Sequence, residues 1–195
     1  MNMVHGLDEV DRKIISLLQT DGRTTLEELA KTAGFSSMGI RKRLQKLLSQ
    51  GTVKVSALLN PFTLRLFPAI VLLEMESADA MQNLIDRFKE CPRVVYIFRT
   101  IGGYNIIALV VAEDQDTLES ISIEKCSLRS SVGIRRSEFY PIGDIHFSPF
   151  IPLREHLTHK EKGITPCNVD CAPCVRYEKQ KCVGCPATIH YRGAL

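Results

Sequence analysis

Five cysteines crowd the C-terminal end of this 195-residue chain, at a spacing that suits metal binding. They are Cys167, Cys171, Cys174, Cys182 and Cys185. The Cys-x2-Cys pair occurs twice, and each pair can present two thiolates to one metal, so two pairs supply the four ligands of a tetrahedral site. The total of seven cysteines is odd, which argues against a simple disulfide scaffold. The spacing predicts a metal-binding or iron–sulfur module over residues 165–195.

Two kinds of centre fit these cysteines. Zn²⁺ would be satisfied by the two Cys-x2-Cys pairs, although the seven residues between them are fewer than in most zinc fingers. A 4Fe-4S cluster also takes four cysteines, and an upstream trio followed by Cys185-Pro186 is typical of ferredoxin ligation. We expect the 4Fe-4S cluster, with Zn²⁺ as the alternative and one thiol left over. Cys91 and Cys126 stand apart in the sequence and are predicted to be core residues.

Ahead of the cysteines, the first sixty residues have the apolar spacing of three short helices followed by a strand. Asp8 is placed to cap the first helix, a Thr24–Glu27 capping box opens the second, and Gly34 supplies a tight turn before the third. Val53–Leu59 is predicted to be the strand of a short wing. Two helices joined by a glycine turn, the second of them basic, are typical of a helix-turn-helix reader.

The third helix carries the side chains expected to contact double-stranded DNA. Phosphate binding needs cations that displace counterions, and base reading needs side chains at the exposed N-terminal part of a helix in the major groove. Ser36 or Ser37 is placed to cap this helix. The predicted DNA contacts are Ser36, Ser37, Met38, Arg41, Lys42, Arg43 and Lys46. We therefore predict a DNA-binding domain over residues 1–60.

The middle of the chain alternates strand and helix patterns. The predicted strands are Pro68–Glu76, Val94–Thr100, Tyr104–Ala112 and Gly133–Pro141, and the predicted helices are Ala80–Cys91 and Asp116–Leu128. Their order, β-α-β-β-α-β, is that of a ferredoxin-like module. The sequence thus predicts an α+β protein with a linker over residues 61–66, this module over 67–149 and an exposed connector over 150–164.

Composition and charge narrow the class of protein. Charged residues make up 24% of the chain and hydrophobic residues 45%, which are ordinary globular values. The net charge of +3 is distributed unevenly along the chain. It is +3 in residues 1–60, with nine basic and six acidic residues, and −3 in residues 61–149, with nine basic and twelve acidic residues. It is again +3 in residues 150–195, with seven basic and four acidic residues. No apolar run approaches the length of a membrane span, and clustered thiols suit a reducing compartment. We expect a cytoplasmic protein with no membrane partner.

The order of these modules resembles the Lrp/AsnC (feast/famine) family of prokaryotic transcription regulators. The most specific segments are Asp8–Leu18, Gly22–Ala30 and Gly51–Val55, and the resemblance covers about Asp8–Pro141. It implies a DNA-binding homodimer or higher homo-oligomer whose second module also binds a small-molecule effector. The effector site implied by the family's turn between strands is Gly102, Gly103, Tyr104 and Asn105.

The leading functional hypothesis is a sequence-specific transcription regulator whose cysteine tail senses redox state or metal. One alternative is a nucleoid-type architectural protein with a structural zinc knot, which would bind DNA with little sequence preference. The other is a redox or metal-handling enzyme. The sequence contains no Ser/His/Asp or Cys/His constellation, no phosphate loop and no paired carboxylates at a credible site, so we predict that the protein is not an enzyme.

Overall fold

The computed structural model describes residues 6–194, so residues 1–5 and 195, at the ends of the first and last predicted segments, lie outside it. The chain divides into two compact units, of which the first ends at Ala57 and the second begins at Leu58. The helices of the described residues are all too short or too polar to cross a membrane.

The first unit is a bundle of three helices, each with a side-chain N-cap. They are α1 (Glu9–Thr20), α2 (Leu26–Ala33) and α3 (Ser37–Ser49). Asp8 caps α1 and accepts a hydrogen bond from the Asp11 amide at 2.8 Å, as predicted. The box of α2 is formed by Thr25 and Glu28, one residue later than predicted, because the Thr24 hydroxyl donates to the Asp21 carbonyl instead.

One apolar face from each helix forms the core of this unit. Ile14, Leu29 and Ile40 are fully buried, and Gly34 ends α2 in the left-handed conformation. The predicted wing strand Val53–Leu59 is wrong, because residues 53–58 have no ladder partner. A strand needs a neighbour to satisfy its backbone groups, and only Leu59, in the second unit, forms a single bridge to another residue.

The second unit contains the predicted βαββαβ order. Its elements are β1 (Phe67–Met75), α4 (Ala78–Phe88), β2 (Val94–Arg99), β3 (Ile106–Ala112), α5 (Gln115–Ile123) and β4 (Ile134–Pro141). The strands form an antiparallel sheet in the order β2-β3-β1-β4, in which Val71 lies between Ala108 and Phe139. The ferredoxin-like topology is therefore confirmed.

The two predicted helices of this unit are shorter than the sequence pattern indicated. Helix α5 ends at Ile123, and a turn of 3₁₀-helix follows at Leu128–Ser130. Serine hydroxyls compete for the backbone here: Ser120 donates to the Asp116 carbonyl, and Ser127 donates to that of Ser122. Such local bonds favour turns over a continuing helix.

The faces of the sheet are covered differently. On the inner face, Val71 and Leu73 pack with Leu84 and Phe88 of α4 in the main core. On the outer face, Ile151 packs with residues of β2 and β3, so the predicted exposed connector of residues 150–164 is partly buried. The outer face carries enough apolar surface to bury a neighbouring segment. The sequence of residues 150–164 alone does not show that this face is nearby, so the segment was predicted to be exposed.

The predicted linker and the cysteine tail also belong to the second unit. In residues 61–66, Pro61 and Leu66 are buried, and the Asn60 side chain caps the turn. The tail has one short helix, α6 (Val175–Glu178), and single bridges join Lys162 to Thr188 and Ile164 to Asp170. These segments are therefore parts of one folded body rather than extended connections.

Candidate functional sites

Helix α3 presents a basic face to solvent. Ser36 accepts a hydrogen bond from the Gly39 amide at 3.2 Å and so fixes the start of the helix. Ser36, Ser37, Met38, Arg41, Lys42 and Lys46 are all exposed. Within residues 6–194, Arg41, Lys42 and Lys46 form no ion pair. The start of α3 therefore combines a polar cap with cations that are available to an anionic partner.

Arg43 occupies a different environment from the other predicted DNA contacts. Its guanidinium lies 2.5 Å from Asp8 and 3.0 Å from Asp11, and it stacks over the Phe35 ring at 5.4 Å. The Asp11 amide and Arg43 hold the pKa of Asp8 below its usual value. Arg43 thus ties α3 to the cap of α1, a role that the helix pattern alone did not indicate. The sequence signal that could have indicated this role is the pair of acidic residues at the start of α1, Asp8 and Asp11, in the same bundle as the basic helix α3.

The residues of the predicted effector turn lie together between β2 and β3, but Asn105 is already bonded. Its side-chain amide accepts from the Met75 amide at 2.8 Å and donates to the Met75 carbonyl at 2.9 Å. This pair of bonds extends the edge of β1 where the ladder ends. Asn105 therefore shapes the turn, while the backbone of Gly102 and Gly103 remains exposed.

Tyr104 joins the turn to a polar cluster on β4. Its hydroxyl donates to Glu138, which also accepts from Tyr140, and the Arg136 guanidinium lies 4.3 Å above the Tyr104 ring. These hydroxyls lower the pKa of Glu138. Arg136 also lies 3.6 Å from Glu74. The turn is thus fixed by aromatic and charged contacts, and it offers a partly exposed polar surface.

Behind the inner face of the sheet, a cavity of about 50 Å³, here called the sulfur cavity, gathers six of the seven cysteines. The six are Cys91, Cys126, Cys167, Cys171, Cys182 and Cys185. Four come from the tail, whereas Cys91 follows α4 and Cys126 follows α5. The latter two were predicted to be core residues, and both do pack against the main core. Their position on a wall shared with the tail thiols could not be read from local spacing.

Burial raises the pKa of four thiols of the sulfur cavity and so favours their neutral form; they belong to Cys91, Cys126, Cys171 and Cys185. The pKa of Cys185 is raised to about 12. Nearby backbone amides partly oppose this rise in pKa: that of Arg93 at Cys91, that of Cys185 at Cys171 and that of Ala187 at Cys185. Amides directed at sulfur stabilise a thiolate once a cation is present to share its charge.

Arg93 is the buried cation of this region. Its side chain is 7% exposed and forms a two-pronged ion pair with Glu113, with a shortest distance of 2.7 Å. The same guanidinium donates to the Gly184 carbonyl at 2.5 Å. Burial would lower the pKa of Arg93, but Glu113 and the thiols of Cys182 and Cys185 raise it overall. A single arginine therefore joins the sheet to the second Cys-x2-Cys turn.

That turn depends on Gly184. Its φ is +85°, and a Cβ at this position would lie 2.6 Å from the His190 carbonyl oxygen. Only glycine fits this approach without displacing backbone. The constraint places Cys182 and Cys185 beside the sulfur cavity with their loop closed over it.

The five tail cysteines are not all in one place. Cys174 is absent from the wall of the sulfur cavity and lies instead on a neighbouring surface pocket, which Cys126, Cys171 and Cys182 also line. As they stand, the described residues contain no set of three or more His, Cys, Asp or Glu side chains arranged to hold a metal ion. The fold thus collects the predicted ligands without closing them into a coordination shell.

Comparison with known proteins gives two family matches. Residues 7–48 match the AsnC-type helix-turn-helix domain, and residues 68–140 match the Lrp/AsnC ligand binding domain. Residues 141–195, including the cysteine tail, lie outside both matched ranges.

Several relatives share these two domains. The chain is 28% identical over 115 residues to the HTH-type transcriptional regulator FL11 of Pyrococcus horikoshii. The aligned region covers 58% of this chain and 76% of FL11. An uncharacterised HTH-type transcriptional regulator of Pyrococcus abyssi is 31% identical over 134 residues, or 68% of this chain and 83% of that protein.

Solved structures show the same fold. The leucine response regulatory protein of Mycobacterium tuberculosis superposes with a TM-score of 0.63 at 26% identity, over 73% of this chain and 97% of that chain. Escherichia coli AsnC superposes with a TM-score of 0.65 at 22% identity, over 74% and 97%.

Proposed function

Because the chain belongs to the Lrp/AsnC family of DNA-binding transcription regulators, which are not enzymes, we propose that it reads specific operator sequences through α3. The observation that carries this proposal is the start of α3, where a serine cap stands beside cations that form no ion pair within residues 6–194. We assign base reading to Ser36, Ser37, Met38 and Arg41, and phosphate binding to Lys42 and Lys46. Arg43 contributes by holding α3 in place.

Gel-shift titration at fixed salt tests this assignment. The protein's own promoter and a random duplex of equal length are titrated with the wild-type protein and with the R41A variant. Specific reading predicts tighter binding to the promoter and a loss of that preference in R41A. Equal affinity for both duplexes with a steep salt dependence would favour an architectural role.

We further propose that the protein acts as a homodimer through the outer face of its sheet. Beyond the part covered by Ile151, Phe98 and Tyr96 of β2 remain close to half exposed. A second copy would cover them, and a two-fold dimer would place two α3 helices on half-sites of one operator. F98D should shift the mass measured by light scattering toward that of a monomer, whereas I101D, on a fully exposed loop residue, should leave it unchanged.

The turn at Gly102–Asn105 is proposed to bind a small-molecule effector. The matched domain is a ligand binding domain, and the turn exposes backbone groups at Gly102 and Gly103 beside the Arg136 guanidinium. A carboxylate-bearing compound suits an arginine and free amides. A thermal-shift screen of amino acids, repeated with Arg136→Gln, tests the site, and a ligand that stabilises both proteins equally would argue against it.

Finally, we propose that the tail holds a 4Fe-4S cluster, or Zn²⁺ as the alternative, and that this centre adjusts DNA binding to redox state or metal supply in the cytoplasm. The donor set supports a thiophilic metal, since six thiols line one cavity. A bound cluster would supply one-electron redox chemistry. Anaerobic purification distinguishes the options: about four irons per chain and a brown colour support the cluster, whereas one zinc in a colourless protein supports Zn²⁺.

A further inference from the structure

Cys91 shares a sequence feature with the tail. Cys91-Pro92 in the ferredoxin-like module repeats the Cys185-Pro186 pair that ends the cysteine cluster. The two are 94 residues apart in sequence but lie on the wall of the same cavity. In ferredoxin-type ligation a cysteine followed by proline supplies the last ligand of the run.

The two Cys-Pro pairs also turn the chain in the same way. In each, the amide three residues beyond the cysteine donates to the cysteine carbonyl, from Val94 to Cys91 at 3.3 Å and from Thr188 to Cys185 at 2.9 Å. The amide two residues beyond the cysteine, of Arg93 in one pair and of Ala187 in the other, opposes the rise in the pKa of that thiol. Proline cannot donate, so the amides that follow it are the first that can meet the cysteine. Donors of this kind orient metal thiolates and tune their charge.

Cys126 provides a contrast within the same wall. It lines the sulfur cavity and packs against the core, and burial raises the pKa of its thiol. Cys126 is followed by Ser127 and not by proline, and it lies between α5 and the 3₁₀-helix. The wall therefore contains one module cysteine that shares the Cys-Pro turn of the tail and one that does not.

The tail is fixed against this wall by bonds that do not involve a metal. Arg87 donates to the Cys167 carbonyl, Arg93 to the Gly184 carbonyl, and Ser120 to the Lys181 carbonyl at 2.7 Å. Arg176 donates to Ser120 at 2.6 Å. These contacts hold the tail thiols at the side of Cys91, so that a metal held by the tail in the sulfur cavity would meet Cys91 as well.

We propose that the metal centre lies in the sulfur cavity and that Cys91 is one of its ligands, joined by tail cysteines of the same wall. The centre is then a bridge between the ferredoxin-like module and the tail, rather than a separate knot at the end of the chain. Cys126 and Cys174 are not ligands in this arrangement. This inference rests on the proposed metal binding of the tail and specifies where that metal is held.

Anaerobic reconstitution of the full chain with iron and sulfide, and in parallel with Zn²⁺, tests the proposal. Metal per chain and competition with a chelator are measured for the wild type and for C91S, C126S and C174S. We expect C91S to lose more than about 100-fold in metal affinity, beyond the range typical of outer-shell changes. C126S, a matched replacement on the same wall, and C174S should bind as the wild type does.

The results for these variants distinguish a failure of ligation by Cys91 from a failure of metal binding altogether. If C91S binds with wild-type stoichiometry and affinity while C174S does not, the centre lies outside the sulfur cavity and the proposal is overturned, although the tail still binds metal. If the wild type binds neither iron nor zinc, metal binding and the bridge fail together. Far-UV circular dichroism of each apo-protein shows whether C91S has kept its fold, and an unfolded C91S is replaced by C91A for the same comparison.

Discussion

The buried pair of Arg93 and Glu113 gives the sharpest test of how the tail is held. In the R93M variant, Glu113 would keep a carboxylate that is 5% exposed and has lost its cation. Removing one partner of a buried ion pair costs about 3–5 kcal/mol. The Gly184 carbonyl would also lose its donor. Against a typical total of about 5–15 kcal/mol, the second unit should be strongly destabilised.

The double variant R93M/E113L isolates the cause. It removes both charges, and apolar replacement of a buried ion pair often leaves stability unchanged. The main remaining loss of stability is that of the hydrogen bond to the Gly184 carbonyl, about 1–3 kcal/mol. The double variant should therefore be more stable than R93M. R99M, on an exposed arginine of β2, is the matched control and should change stability by less than about 0.5 kcal/mol.

Urea unfolding followed by tyrosine fluorescence measures these effects in the relevant unit. The chain has no tryptophan, and its five tyrosines all lie beyond Leu58, so the signal reports the second unit alone. Reducing conditions and a chelator keep the metal out of the comparison. A loss below about 1 kcal/mol in R93M, or a double variant less stable than R93M, would show that the Arg93–Glu113 pair does not stabilise the second unit in this way.

The basic face of α3, its contact with α1 and the Gly184 turn can each be tested by one substitution. K42A should weaken DNA binding similarly for all sequences and reduce the slope of log affinity against log salt by about one, whereas K13A, on a cation already paired with Glu9, should leave the slope unchanged in the same titration. R43A should lower the thermal midpoint of the helical signal because it removes both ion pairs to the cap of α1, and a midpoint equal to that of R41A would contradict this role. G184A should destabilise the second unit by about 1–3 kcal/mol through its left-handed backbone, and unchanged tyrosine unfolding would show that the turn is not constrained as described.

Local chemistry made much of the fold predictable from sequence. The spacing of Asp8 from the first apolar stripe located a helix start, and the alternation of strand and helix patterns gave the βαββαβ order. The wing at Val53–Leu59 was predicted wrongly because strand propensity says nothing about whether a partner strand is present. Ile151 was assigned to an exposed connector because burial depends on a sheet face that no local window reveals.

The sites show the same division between local and long-range information. The exposed cations of α3 follow from helical periodicity, but the pairing of Arg43 with Asp8 joins residues 35 positions apart. The spacing of the tail cysteines was enough to predict them as metal ligands. Cys91 could not be predicted in this way, because it comes close to the tail cysteines only after the sheet and helices have formed. Its following proline was the one sequence signal that matched the tail.

We propose that a metal centre in the tail controls DNA reading by α3. The most direct test is the affinity of one preparation for its own promoter and for a random duplex, measured at fixed salt before and after removal of the metal. We expect metal removal to reduce the preference for the promoter by about ten-fold or more, a coupling of about 1.4 kcal/mol. Equal promoter preference in the loaded and metal-free protein would contradict it.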